Sequence, residues 1–164
     1  MAPHELTKAL IAEEFILHLA TSGETVPANC ALEYVDIDGD LYWLSSDKTL
    51  HSRNIITNPD VAICITRTNP DKTSEGIQAT GTAALIVDTE TKNQVRELIL
   101  NKIQRGRPRA VVTHEDTRSV WKFSPRELLY MNETVFGYDR TQIIPAAQFP
   151  QQESPDAAWS NLLI

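Results

Sequence analysis

The sequence predicts a mainly β fold, an antiparallel barrel or sandwich with helices packed outside it. Three observations carry that expectation. Roughly six short apolar or alternating segments read as strands. Turn chemistry, above all Asp38-Gly39, joins neighbouring segments closely enough for hairpins. The helical segments do not alternate with the strands as a doubly wound α/β fold requires.

The elements follow in order. Residues 4–13 read as a helix, with Leu6, Ala9, Leu10 and Glu13 at helical spacing. Phe15 to Thr21 is a short apolar strand, and Ser22 to Thr25 is a turn. Residues 26–36 form a second extended run through Cys30, Leu32, Tyr34 and Val35. Glycine accepts positive φ without penalty, so Asp38-Gly39 turns the chain into a third strand, residues 41–45. Ser46-Asp47 offers a cap for a helix over 48–57, and Asn58-Pro59-Asp60 ends it.

Val61 to Thr66 is a β-branched strand, and the polar stretch Asn69 to Glu75 reads as a loop. A long strand over 76–87 follows. Its small residues, Gly76, Ala79, Gly81, Ala83 and Ala84, suggest close approach to another strand or a ligand. Asp88 caps a helix over 89–104, whose Val95, Leu98, Ile99 and Ile103 make one apolar face. Arg105 to Arg109 breaks it. Residues 118–123 and 127–132 read as final strands parted by a Ser124-Pro125 turn. From Pro145 the chain is rich in proline and glutamine, which predicts one domain over 1–144 and an extended or poorly ordered tail over 145–164.

Bulk numbers narrow the function. The 164 residues suit one domain, and 41% hydrophobic residues is an ordinary globular share. A net charge of -7 argues against bulk attraction to nucleic acid. No apolar run approaches a membrane span, and Met1 to Leu10 lacks the apolar core of a secretory signal. The expected location is the cytoplasm. The two cysteines, Cys30 and Cys64, read as small buried hydrophobes rather than a disulfide, and no metal-ligand spacing is present. Asp36, Asp38 and Asp40 alternate like a metal loop, but turn chemistry accounts for them. His18, within an apolar strand, reads as a core or edge histidine. The arginines at 105, 107 and 109 read as a solvated loop, with an anion site as the competing role.

The order Leu44-Ser45-Ser46, then His51-Ser52-Arg53-Asn54, then Asn58-Pro59-Asp60-Val61 resembles a signature of pyridoxamine-phosphate-oxidase-like flavoproteins. Gln78 to Gly81 is similar to the Gln-x-x-x-Gly strand of that family, one residue shorter, and Trp121 to Pro125 also fits. The resemblance covers roughly residues 5–143. It implies a split β-barrel of the FMN-binding type and a homodimer with FMN between the subunits. It also implies an oxidoreductase acting on a small molecule. The alternatives on the same fold are a non-catalytic flavin-binding or sensing protein and a deazaflavin-dependent reductase.

By position, the resemblance implies cofactor contacts at Asn29, Cys30 and Ala31 of the second strand. It adds Ser45, Ser46, Lys48, His51 and Ser52 around the following helix start, and Gln78 of the long strand. A helix N-terminus with neighbouring hydroxyls suits a phosphate. Lys48 and His51, three apart, would share a helical face. A glutamine matches the donor and acceptor edge of a flavin. Trp121 either stacks near the cofactor or fills core or interface. The Arg-Lys pair of the family aligns with Leu50-His51, so a histidine stands where a fixed cation would be. In the implied dimer, the small residues of the long strand pack at the interface, with Trp43 and Trp121 as anchors.

Overall fold

A computed structural model describes residues 2–23, 26–106 and 117–137, together with the backbone of 141–145. The elements are α1 (Pro3–Glu13), β1 (Ile16–Thr21), β2 (Ala28–Ile37), β3 (Asp40–Ser45), α2 (Leu50–Thr57) and β4 (Asp60–Thr68). They continue with β5 (Ser74–Leu85), α3 (Thr89–Gly106), β6 (Ser119–Asn132), α4 (Glu133–Phe136) and β7 (Thr141–Pro145). The strands run β3-β2-β1-β4-β5-β6-β7, all antiparallel, and β3 also pairs with β6. That last pairing closes β3-β2-β1-β4-β5-β6 into a barrel, as expected.

Alternation places each side chain. Leu17, Leu19, Leu41, Trp43, Val61, Ile63, Ile65, Ile77, Ala79, Ala83, Trp121 and Phe123 form the barrel interior. Leu10 and Ile11 of α1 join that core, and the Tyr34 hydroxyl donates to Ile11 O at 2.7 Å. On the outside, α3 lays Val95, Ile99 and Ile103 against Val35, Tyr42, Leu44 and Val120. The α3 cap is as read: Asp88 Oδ2 accepts from the Thr91 amide at 2.7 Å. The hairpin turn is also as read, with Asp38 at φ 53° and Gly39 at φ 86°.

Several expectations are corrected. Helix α2 begins at Leu50, capped by Thr49 rather than by Ser46-Asp47, because the Thr49 side chain accepts from the Ser52 amide. Lys48 therefore lies in the preceding turn and shares no helical face with His51. Strands 118–123 and 127–132 are one strand, β6, running through Ser124-Pro125. There β6 leaves β3 after Phe123 and meets β7 only from Glu127. A proline is tolerated where one side of the strand has no ladder to serve. The register shifts opposite Thr80 and Gly81: Glu127 pairs with Thr80 and Pro125 with Gly81, leaving Arg126 as the extra residue of a bulge.

Of the small residues of β5, Ala79, Gly81 and Ala83 turn into the barrel rather than to an outer surface. Gly76, Ala79, Gly81 and Ala83 are buried, and among them only Ala84 is exposed. At Gly81 a Cβ would stand 2.2 Å from Ser124 O and 2.7 Å from the Phe123 ring, so the side chain is absent because β6 passes there. Trp43 and Trp121 pair across β3 and β6 inside the barrel and anchor no outer surface. No helix among the described residues is long and apolar enough to cross a membrane. Pro145 ends β7, and the rest of the expected tail lies outside the described residues.

Candidate functional site

Two groups of predicted residues emerge in different places. The first gathers where β3 runs into α2. Thr49 Oγ1 lies 2.9 Å from Ser46 O, 2.8 Å from Ser52 Oγ and 3.1 Å from His51 Nε2. His51 Nε2 also lies 2.7 Å from Ser45 Oγ. Ser46 Oγ accepts from the Lys48 amide at 3.3 Å. Ser45, Ser46, His51 and Ser52 are thus brought together at the start of a helix whose first amides lack intrahelical acceptors. Such a turn is suited to an anion.

Burial lowers the His51 pKa from its ordinary value of 6.5, so the imidazole is neutral at pH 7 and the cluster is one of hydroxyls and imidazole. Two residues here escaped sequence reading. Thr49 is the hub of the cluster. Arg53 Nη1 donates to Lys48 O at 2.9 Å and so brings a fixed positive charge to the same turn. Their signal was present in the sequence: a Thr three residues before Ser52 is a cap pattern, and Arg53 lies one turn into the helix.

The second group lies on the outer face of β2, β1, β4, β5 and β6. Cross-strand register sets Ala31, His18, Cys64, Gln78 and Leu129 in one transverse row. A second row holds Asn29, Ala20, Ala62, Thr80 and Glu127. A cavity of about 300 Å³ is lined by His18, Cys64, Gln78, Asn29, Thr80 and Glu127, among others. A second of about 700 Å³ shares Asn29, Ala20, Ala62 and Thr80 with it and continues to Asp60 and Arg126. The two make one trough along the sheet.

His18 is exposed and lines this trough, against the expectation of a core or edge position. Its neighbours Leu17 and Leu19 face the core, so alternation alone puts His18 outside. Cys64 lines the trough too, while Cys30 faces inward with its Sγ 4.0 Å from Leu19 O. Both cysteines are free and half-buried, and burial pushes both thiols up. Trp121, 1% exposed, sits in the core. Neither its indole Nε1 nor that of Trp43 has a partner among the described residues.

The first group does not line the cavity that takes Asn29 and Gln78. Arg105 is exposed at the end of α3, and Arg107 and Arg109 lie outside the described residues. No cluster of three metal-ligating side chains occurs among the described residues.

Residues 3–129 match a family model described as Pyridoxamine 5'-phosphate oxidase. No curated protein sequence is significantly similar to the chain. Among solved structures, the fold is similar to a heme binding protein from Mycobacterium smegmatis, with a TM-score of 0.71 and 21% identity. That match covers 92% of this chain and 60% of the other. General Stress Protein 26 from Bacillus anthracis gives a TM-score of 0.65 and 17% identity, over 88% and 99% of the chains. A FAD-binding protein from Mesorhizobium loti gives 0.63 and 13%, over 78% and 92%.

Proposed function

The chain belongs to the pyridoxamine 5'-phosphate oxidase family, and on that premise we propose that it is an FMN-binding oxidoreductase that works as a homodimer in the cytoplasm on a small molecule. The observation that carries the reading is the cluster of Ser45, Thr49, His51 and Ser52 at the start of α2. Hydroxyls, open amides and the nearby Arg53 fit a phosphate, with Ser46 and Lys48 in the same turn.

Gln78 and Asn29 on the outer sheet face fit the polar edge of a flavin ring, because each offers a donor and an acceptor. These residues and the α2 cluster do not line one cavity. We read the two groups as parts of a site shared between two copies of the chain, the arrangement that the proposed dimer would supply. Bound flavin would supply the hydride or electron chemistry. This chain would hold the phosphate, orient the ring over β1, β4 and β5, and exclude water from it.

Purified protein mixed with FMN should quench flavin fluorescence and bind with a Kd of roughly micromolar or better. Absence of both heat in calorimetry and quenching overturns the reading. Haem is a second reading, favoured by the exposed His18 beside Cys64 on the trough and by the likeness to a heme binding protein. The visible spectrum of freshly purified protein separates the two, since haem and flavin absorb differently.

A further inference from the structure

Arg126 exists on the outer sheet face because of the bulge. With Thr80 opposite Glu127 and Gly81 opposite Pro125, Arg126 is inserted between them. Both Arg126 and Glu127 then stand exposed. Bulges recur beside binding sites because they re-aim a side chain. Here the re-aimed chain lines the wider end of the trough, at the opposite end from His18 and Gln78.

The guanidinium is held in place rather than waving in solvent. Its Nη2 donates to Asp60 Oδ1 and to Gly81 O, the latter at 3.2 Å. Both bonds come from one nitrogen, so Nε and Nη1 keep their donors among the described residues. Among the described residues that line the two cavities, Arg126 is the only fixed cation, against the carboxylates of Asp60 and Glu127. The exposed ion pair with Asp60 is worth little by itself, so it yields readily to a better-placed anion.

We propose that Arg126 is a specificity-determining residue, receiving an anionic group, a carboxylate or phosphate, of a small substrate lying in the trough. The rest of that substrate would lie over Ala20 and Ala62, the small residues that floor the shared stretch. A planar fork with free donors matches such an anion in two-point fashion. The inference rests on the proposed function only in calling the ligand a substrate.

The test uses benzoate and benzyl alcohol, alike in ring and different in charge. Each is titrated into isotopically labelled full-length protein, with and without FMN, while the amide resonances of Thr80, Gly81 and Arg126 are followed. Benzoate should bind about tenfold more tightly than the alcohol, as expected for a charge-assisted hydrogen bond. Arg126→Gln should abolish that preference, and Asp60→Asn should raise benzoate affinity by freeing the guanidinium. Equal affinities in the native protein, or a preference that survives Arg126→Gln, overturn the proposal. So does an Arg126→Gln protein that loses FMN affinity while keeping riboflavin affinity, because Arg126 would then serve the cofactor phosphate. Failure of FMN to bind at all would instead remove the proposed function, and the benzoate preference would still decide the role of Arg126.

Discussion

The barrel wall has two kinds of outer surface. Over β2, β3 and the first half of β6, the outward residues are Val35, Tyr42, Leu44 and Val120, and α3 covers them. Over β1, β4 and β5, the outward residues are His18, Ala20, Ala62, Cys64, Gln78 and Thr80, and they line the trough. The inward residues are equally apolar on both sides. The difference therefore lies in what each wall meets. Large aliphatic and aromatic side chains fit a permanent partner from the same chain. Small and polar ones leave the surface uncovered by the described part of the chain, as the trough.

That contrast breaks most sharply in the core behind the bare wall. Ala83→Arg puts a charge into the barrel interior, where the side chain is 2% exposed, and should cost more than about 4 kcal/mol, abolishing a cooperative thermal transition. Ala84→Arg, one residue on and exposed, should change stability by under about 0.5 kcal/mol. A folded Ala83→Arg protein would refute the inward assignment. On the covered wall, Ile99→Ala should cost about 2–4 kcal/mol in urea denaturation. The matching change on the bare wall, Thr80→Ala, should stay within about 0.5 kcal/mol.

Lys102 sharpens the comparison from the side of α3. It is 7% exposed, with Nζ 4.1 Å from the Tyr34 ring centroid, 5.7 Å from that of Phe15 and 3.5 Å from Ile11 O. Burial lowers its pKa from 10.5 to about 8. A depressed folded value means that the unfolded chain holds the proton longer. Stability should then rise with pH from about 8 to 10.5 and fall again as pH returns through 8. The full difference is about 3 kcal/mol for this buried group. Lys102→Met should flatten that slope in denaturation curves measured across the window, and an unchanged slope would acquit Lys102.

Smaller effects belong to the ligand side. Gln78→Ala should leave the melting temperature in place yet weaken FMN binding about tenfold by calorimetry, the loss of a hydrogen-bonded pair. Native stability and unaltered affinity together would remove Gln78 from the site. His51 carries the smallest effect. Its lowered pKa makes the neutral form the stable one, so its contribution to stability is present above pH 6.5 and fades as pH falls below it. FMN affinity should be nearly flat above neutrality, and His51→Lys should raise it there by adding a charge. Equal affinities of the two proteins at pH 8 would take His51 away from the phosphate.

Much of this architecture is legible locally. Asp38-Gly39 announces its turn, Asp88 announces its helix, and alternation marks each wall from the identity of one inward residue. His18 shows that even the misread positions carried their signal, since Leu17 and Leu19 flank it. The pairing partners were not legible. Nothing near Ser124-Pro125 states that β6 exchanges β3 for β7 there, so a proline reads as a turn when it marks a handover. The bulge that presents Arg126 depends on the register between β5 and β6, a property of two distant segments. The α2 cluster was found by position in a family pattern, but its hub Thr49 and the neutral state of His51 depend on burial that no single stretch encodes.

The seam between β3 and β6 has a kinetic meaning. It joins Leu41 to Phe123 and Ser45 to Ser119, so the barrel cannot seal until most of the chain is available. The β2–β3 hairpin, closed by a two-residue turn, forms from local contacts. The seam must first meet the entropy of a long loop. Trp43 and Trp121 face each other across that seam, which makes indole fluorescence a reporter of the closing step once the third tryptophan, Trp159, is replaced by phenylalanine. Substitutions in the hairpin turn should therefore slow folding, while changes at the Trp43–Trp121 contact should chiefly speed unfolding.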